Sequence, residues 1–142
     1  LAEKHGLEKI KTIGDSYMVV GGVPLPLANH APACADMALA MIEVMKAFNL
    51  RNRSDWQIRI GMHTGPLVAG IIGSKKFAYD LWGDTVNLAS RITTEGTPGM
   101  IHVDGTTFRR LRGHFDFDQP QTMHLKGKGE TTVHRMVARK TQ

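Results

Sequence analysis

The chain has 142 residues, 42% of them hydrophobic, which is one domain's worth of sequence with enough apolar material for a single core. A balance of 18 basic to 13 acidic residues gives +5, which favours polyanionic partners (nucleotides, nucleic acid, an acidic membrane surface) without choosing among them. The lone cysteine, Cys34, excludes an internal disulfide and a Cys-based zinc site, and no apolar run reaches the roughly 18 residues of a membrane-crossing helix.

The chain opens at Leu1 without a methionine, and its first residues read as the tail of a helix, so a fragment of a longer protein is expected. Leu7 to Ile13 and Ser16 to Val20 are rich in β-formers around Gly14-Asp15, which predicts a β-hairpin. Gly21 to Pro26 is a loop. From Cys34 to Phe48 the apolar residues Cys34, Met37, Ala38, Met41, Val44, Met45 and Phe48 recur at three and four, the pattern of one buried helical stripe. Asn49 to Asp55 is a polar connection, Gln57 to Thr64 a strand with Ile58, Ile60 and Met62 on one face, and Leu67 to Ile72 a second apolar strand after the Gly65-Pro66 turn.

Phe77 to Trp82 is apolar and aromatic enough for a strand, Gly83 breaks it, and Asp84 or Thr85 is the expected N-cap of a helix running from Thr85 to Thr93. Met100 to Val103 and Phe115 to Phe117 are short strands with a helix over Thr106 to Leu111 between them. Met123 to Leu125 and Thr131 to Val137 read as a final hairpin around Lys126-Gly127-Lys128-Gly129. Strands and helices interleave without repeats, so the class is α+β or α/β in the ferredoxin-like style.

The most chemically pointed stretch is Tyr79-Asp80-Leu81-Trp82-Gly83-Asp84-Thr85-Val86-Asn87 followed by Ala89-Ser90-Arg91. Asn87 and Arg91 lie four apart on one helical face just inside a helix start, a clamp suited to an anion or a sugar phosphate. Asp80, on the strand before the turn, is placed to accept hydrogen bonds from another part of the same ligand. Neither a Walker A loop nor a Gly-x-Gly-x-x-Gly fingerprint is present, so a bound nucleotide would be held by side chains and metal. With 6% aromatic residues and no Lys/Arg-Gly-Phe-x-Phe-type segment, an RNA-stacking module is disfavoured and no nucleic-acid partner is expected.

The Tyr79 to Arg91 stretch resembles the signature of the class III nucleotidyl cyclase catalytic domain, the fold of adenylate and guanylate cyclases. Glu8 to Asp15, Arg59 to Gly65 and Lys126 to Gly129 agree with it in order, so the resemblance spans residues 8–129. It implies an α+β sandwich of the ferredoxin-like cyclase type, with a mixed, mostly antiparallel sheet. It also implies an adenylate cyclase that closes ATP to 3′,5′-cyclic AMP, the ribose 3′ oxygen attacking the α-phosphorus and pyrophosphate leaving. Asp15 matches one of two metal-binding aspartates, for two Mg²⁺ or Mn²⁺ ions per site. Lys11 and Asp80 match the pair that reads the purine, and an ammonium that donates beside a carboxylate that accepts suits adenine over guanine. Leu81 would offer its backbone to the base. Asn87 matches the residue that positions the ribose, Arg91 the one that neutralises charge on the α-phosphate, Lys126 a lysine on the terminal phosphates, and Arg59 an arginine near them.

In the family the site forms between subunits, metal aspartates from one and the remaining residues from the other. This chain matches both sets, which implies a homodimer with two shared sites, cytoplasmic, with membrane attachment only through regions outside these residues. The resemblance also marks departures. No Asp-Ile/Val-x-Gly-Phe-Thr segment precedes Gly6, so residues 1–142 are expected to be a catalytic domain incomplete at its N-terminus, lacking the other metal aspartate and a first strand, and weakly active or inactive alone. Asp118-Gln119-Pro120-Gln121 stands where the family has Arg-Gly. The alternatives are a guanylate cyclase or a catalytically silent half that binds nucleotide or dimerises.

Overall fold

The computed structural model describes residues 3–13, 16–22, 27–72 and 78–140, and within these all side chains but those of residues 3, 11–13, 68–72 and 78–82. A short 3-10 turn, Glu3–His5, leads into an antiparallel hairpin of β1 (Glu8–Ile13) and β2 (Ser16–Val20), with a register shift between Lys9 and Lys11. The turn expected at Gly14-Asp15 lies outside the described residues, as do the last four residues of the loop expected after β2. Helix α1 (His30–Asn52) follows, then β3 (Ile60–Met62), β4 (Val68–Ile72) and β5 (Ala78–Trp82), helix α2 (Asp84–Glu95) and β6 (Ile101–Asp104). Helix α3 (Gly105–Leu111), β7 (Phe115–Phe117), β8 (Gln121–Leu125) and β9 (Gly129–Arg139) complete the order.

The main sheet runs β3-β6-β9-β7, with β8 also paired to β9. Only β3 and β6 are parallel; every other described pairing is antiparallel, giving the expected α+β architecture with a mixed, mostly antiparallel sheet. β1-β2 and β4-β5 form two separate antiparallel ribbons. β6 is buried along its whole length because both its faces are covered. Ile101 and Val103 join Ala31, Ala35 and Ala38 of α1, Leu111 of α3, Phe115 and Met136 in the principal core. His102, between them, points to the opposite face, where its Nδ1 would lie 3.2 Å from a Cβ on Gly96 at the end of α2.

Three local expectations change. Helix α1 continues to Asn52, through what reads as a polar connection, and Asn49 then fastens the following loop, its Nδ2 donating to Trp56 O at 2.8 Å and its Oδ1 accepting from Trp56 N at 3.1 Å. In place of one stripe, α1 buries two faces in its first turns, Ala31, Ala35 and Ala38 on the principal core and Ala33 and Met37 with Leu7 on a second cluster. No residue of α1 beyond Ala38 is buried, and Val44 and Phe48, assigned to the stripe, are 52% and 40% exposed. Alanines let the first turns sit close on the sheet, whereas further along Leu39 and Ile42 reach the principal core only half-buried and Val44 and Phe48 face outward.

The strand expected from Gln57 to Thr64 pairs only over Ile60–Met62. Before Ile60 its carbonyls serve the neighbouring loop, Gly99 N donating to Ile58 O at 2.7 Å, because β6 does not begin until Ile101.

Candidate active site

Helix α2 is the centre of the candidate site. Its N-cap is Gly83, with φ of +127°, not Asp84 or Thr85; no side chain caps the helix, and Asp84 lies in its first turn, where a carboxylate suits the positive helix end. A glycine reaches this dihedral at no steric cost, so the chain turns directly from β5 into α2. Thr85 is buried and its hydroxyl donates to Pro66 O, tying the helix start to the turn between β3 and β4.

Two glycines of the β3 region let the helix sit this close. A Cβ on Gly61 would lie 2.5 Å from both Thr93 N and Thr93 Oγ1, and one on Gly65 would lie 2.6 Å from Thr85 Oγ1. Leu88 and Ile92 point the other way, into a small core with Leu125 and the half-buried Met123 of β8.

This packing brings Arg91 against the turn between β8 and β9. A Cβ on Gly127 would lie 2.8 Å from Arg91 Nη1, so the guanidinium rests on the Lys126-Gly127-Lys128 turn. The side chain of Arg91 forms no hydrogen bond or ion pair with any described residue, and Lys126 and Lys128 are exposed and likewise unpaired among the described residues. The guanidinium thus lies on a turn whose glycine is flanked by two exposed lysines, a set of cations without a described carboxylate partner that suits an anion. Asn87, one turn before Arg91, is exposed on the same helical face.

The other residues named from the sequence are placed as follows. Lys11 lies on β1, and Asp80 and Leu81 on β5, where they pair with Gly70 and Ala69; β1 and β5 lie against each other, so the two strands carrying the expected base readers are neighbours. Their side chains are outside the described set. Asp15 lies outside the described residues altogether. Its carboxylate is chemically suited to a hard divalent cation; among the described residues no group of three or more His, Cys, Asp or Glu could hold an ion.

Arg59 goes elsewhere: its Nη1 donates to Thr94 O at 3.0 Å, one of the free carbonyls in the last turn of α2, where a cation complements the helix dipole.

Sequence reasoning missed the polar cluster behind the β3–β4 turn. His63 Nδ1 meets Asp104 Oδ2 at 2.6 Å, Asp104 Oδ1 accepts from Thr107 N at 3.2 Å as the N-cap of α3, and the hydroxyls of Thr64 and Thr107 lie 2.8 Å apart. The Asp-x-x-Thr spacing at the start of α3 is a capping signal, but nothing in the sequence joins it to His63, 41 residues earlier. His134 stacks on Phe108 with ring centroids 3.8 Å apart, and burial, only partly offset by Asp104, lowers its pKa. Burial, partly offset by a hydrogen bond with the Gly21 backbone, pushes the Cys34 thiol up to about 11, away from the thiolate range that a nucleophilic cysteine needs.

No helix among the described residues is long and apolar enough to cross a membrane. The sequence pattern of the family described as "Adenylate and Guanylate cyclase catalytic domain" matches residues 1–138. An adenylate cyclase of Mycobacterium bovis is 43% identical over 140 residues, covering 99% of this chain and 32% of that protein. The guanylate cyclase soluble subunit beta-2 of Rattus norvegicus is 42% identical over 139 residues, covering 96% of this chain and 20% of its own length. The chain thus spans about a third or less of these curated relatives.

Among solved structures, the guanylate cyclase domain of RhGC from Catenaria anguillulae, in complex with GTP, superposes with a TM-score of 0.90 at 38% identity, covering 98% of this chain and 76% of the other. Shared pattern, sequence and architecture together establish that this chain belongs to the adenylate and guanylate cyclase catalytic domains, the class III nucleotidyl cyclases.

Proposed function

We propose that the domain is an adenylate cyclase, closing ATP to 3′,5′-cyclic AMP with release of pyrophosphate. The observation that carries this reading is Arg91 seated on the Lys126-Gly127-Lys128 turn without a carboxylate partner among the described residues, a ready seat for a polyphosphate.

In this reading Arg91 faces the α-phosphate, where its guanidinium neutralises the charge that grows as the ribose oxygen attacks, and Lys126 holds the outer phosphates. Asn87, one helical turn earlier, orients the ribose so that its 3′ oxygen lies in line with the α-phosphorus. Lys11 and Asp80, from the neighbouring β1 and β5, read the adenine edge by donating to its ring nitrogen and accepting from its amino group, with Leu81 contributing backbone. Arg59 supports α2 from Thr94 O and acts on the phosphates only through that helix.

Cyclase domains of this family use divalent metals, and Asp15 is the carboxylate proposed to ligate one, Mg²⁺ or Mn²⁺, of the two expected per site. Such an ion supplies Lewis-acid activation of the hydroxyl and charge on the phosphates. A homodimer with shared sites follows in the proposal, because Asp15 and the α2 residues serve opposite halves of a twofold pair of sites. A cytoplasmic setting accords with the substrate.

Relatives of nearly equal identity carry guanylate cyclase names, so a guanylate cyclase is the second reading; the polarity of Lys11 and Asp80 favours ATP over it. The deciding experiment is turnover of ATP and of GTP by the full-length protein with Mn²⁺. Cyclic AMP formed well ahead of cyclic GTP supports the proposal, the reverse preference replaces it, and no product from either nucleotide leaves the silent half standing.

A further inference from the structure

We infer that Gly127 is a positioning residue whose missing side chain fixes where the Arg91 guanidinium rests. The inference deepens the proposed function, since it rests on Arg91 as the phosphate-facing arginine.

Two glycines of the β8–β9 turn take left-handed backbone, Gly127 at φ +83° and Gly129 at φ +78°, so local conformation alone favours glycine at both. Their surroundings differ. A Cβ on Gly129 would meet nothing within 4 Å, whereas one on Gly127 would lie 2.8 Å from Arg91 Nη1, 3.5 Å from its Cζ and 3.7 Å from its Nη2. All three contacts are with one guanidinium, which lies over the turn where a side chain would otherwise stand.

The atoms that would be struck are the far end of a long side chain with no described hydrogen bond or ion pair to hold it. An added methyl is therefore relieved by swinging Arg91 aside, not by breaking the turn or unpacking Leu88, Ile92 and Leu125. Gly127 and Gly129 thus form a matched pair: alanine at either imposes the same backbone strain, and only alanine at 127 moves the arginine. A guanidinium pushed out of line with the α-phosphate lowers turnover more than nucleotide affinity.

The test compares Gly127→Ala with Gly129→Ala in the full-length protein, reading cyclisation with Mn²⁺, the melting temperature, and the NMR signal of the Arg91 Nε–H group. The expected result is a shared fall in melting temperature, with Gly127→Ala alone losing roughly 10- to 100-fold in kcat while KM changes less than about threefold. In an Arg91→Ala background the Gly127 substitution should cost no further kcat, the non-additivity of two residues acting through one group. Wild-type kcat in Gly127→Ala, equal kcat losses in the two variants, or an additive loss in the Arg91→Ala background overturns the inference. If the wild-type protein cyclises neither ATP nor GTP, the proposed function fails separately. The positioning claim then stands or falls on whether the Arg91 signal moves in Gly127→Ala and not in Gly129→Ala.

Discussion

His63 and Asp104 meet at 2.6 Å, a histidine at the end of β3 and a carboxylate at the end of β6, and both side chains are largely enclosed. Asp104 does two jobs, since its other oxygen caps α3 through Thr107 N. The residues that follow His63 lead through Gly65 and Pro66 to Thr85, so the pair braces the turn on which α2 starts. Asp104→Ala should therefore cost about 2–4 kcal/mol, a helix cap of about 1 and a stranded ring N–H of about 1–3. Asp104→Asn, which keeps an oxygen for the cap, should cost about half as much. Urea unfolding of both variants checks this, and a loss below about 0.5 kcal/mol in Asp104→Ala would remove the pair from the stability of the turn.

Gly61→Ala tests the contact that seats α2 on the sheet. Its Cβ would lie 2.5 Å from Thr93 N and 2.9 Å from Ala89 O, which are backbone atoms and cannot swing away. A loss of about 2–3 kcal/mol is expected from this overpacking, with nucleotide turnover falling as α2 shifts. Thermal unfolding with unchanged melting temperature would show that the helix is held some other way.

Arg91→Ala should lower kcat by roughly 100-fold or more while KM for ATP moves little, because the guanidinium is proposed to meet charge that develops only in the transition state. Lys126→Ala should instead raise KM, as expected for a lysine that grips outer phosphates equally before and during reaction. Steady-state kinetics on the full-length protein separate the two patterns, and an effect of Arg91→Ala confined to KM would demote it to a binding residue.

Lys11→Glu combined with Asp80→Cys should move preference from ATP towards GTP by exchanging donor for acceptor at the base edge. Competition of the two nucleotides for one enzyme sample gives the ratio of kcat/KM directly. An unchanged ratio would take base reading away from β1 and β5.

Acid should destabilise the fold through His102. The ring is fully enclosed, neither nitrogen has a hydrogen-bond partner among the described residues, and burial, then the charge of Arg135, holds its pKa below 6.5. Below pH 6.5 the unfolded chain binds a proton that the folded one refuses, so stability falls as pH drops, by up to about 1.4 kcal/mol per unit for one histidine. Above that pH the ring is neutral in both states and the effect vanishes. His134, lowered chiefly by burial, acts in the same direction. His102→Leu should flatten the fall in melting temperature between about pH 6.5 and 5, and an unaltered slope would assign it to other groups.

Elements with a strong period or a clear break were legible in the sequence. The strand and helix expected over Phe77 to Trp82 and Thr85 to Thr93 fall within a residue or two of β5 and α2, because aromatic residues and the Gly83 break point the same way. The Lys-Gly-Lys-Gly turn was legible for the same reason. What was not legible depends on contacts distant in sequence. Val44 and Phe48 carry the correct helical spacing, yet period alone cannot say that full burial of α1 ends at Ala38 and leaves them outside both cores. Arg59 matches by motif an arginine near the phosphates, and its bond to Thr94 O comes from packing that the motif does not show. Gly61 and Gly127 look like ordinary flexible positions until the atoms lying over them are known.

Among the described side chains, the helix that carries Asn87 and Arg91 shares its small core with β8, whereas α1 and α3 share the principal one. Side chains in that lesser cluster can therefore be exchanged during evolution without reopening the larger. Such exchanges would shift the seat of Asn87 and Arg91, and with it the rate, while the scaffold built on the larger core keeps its architecture.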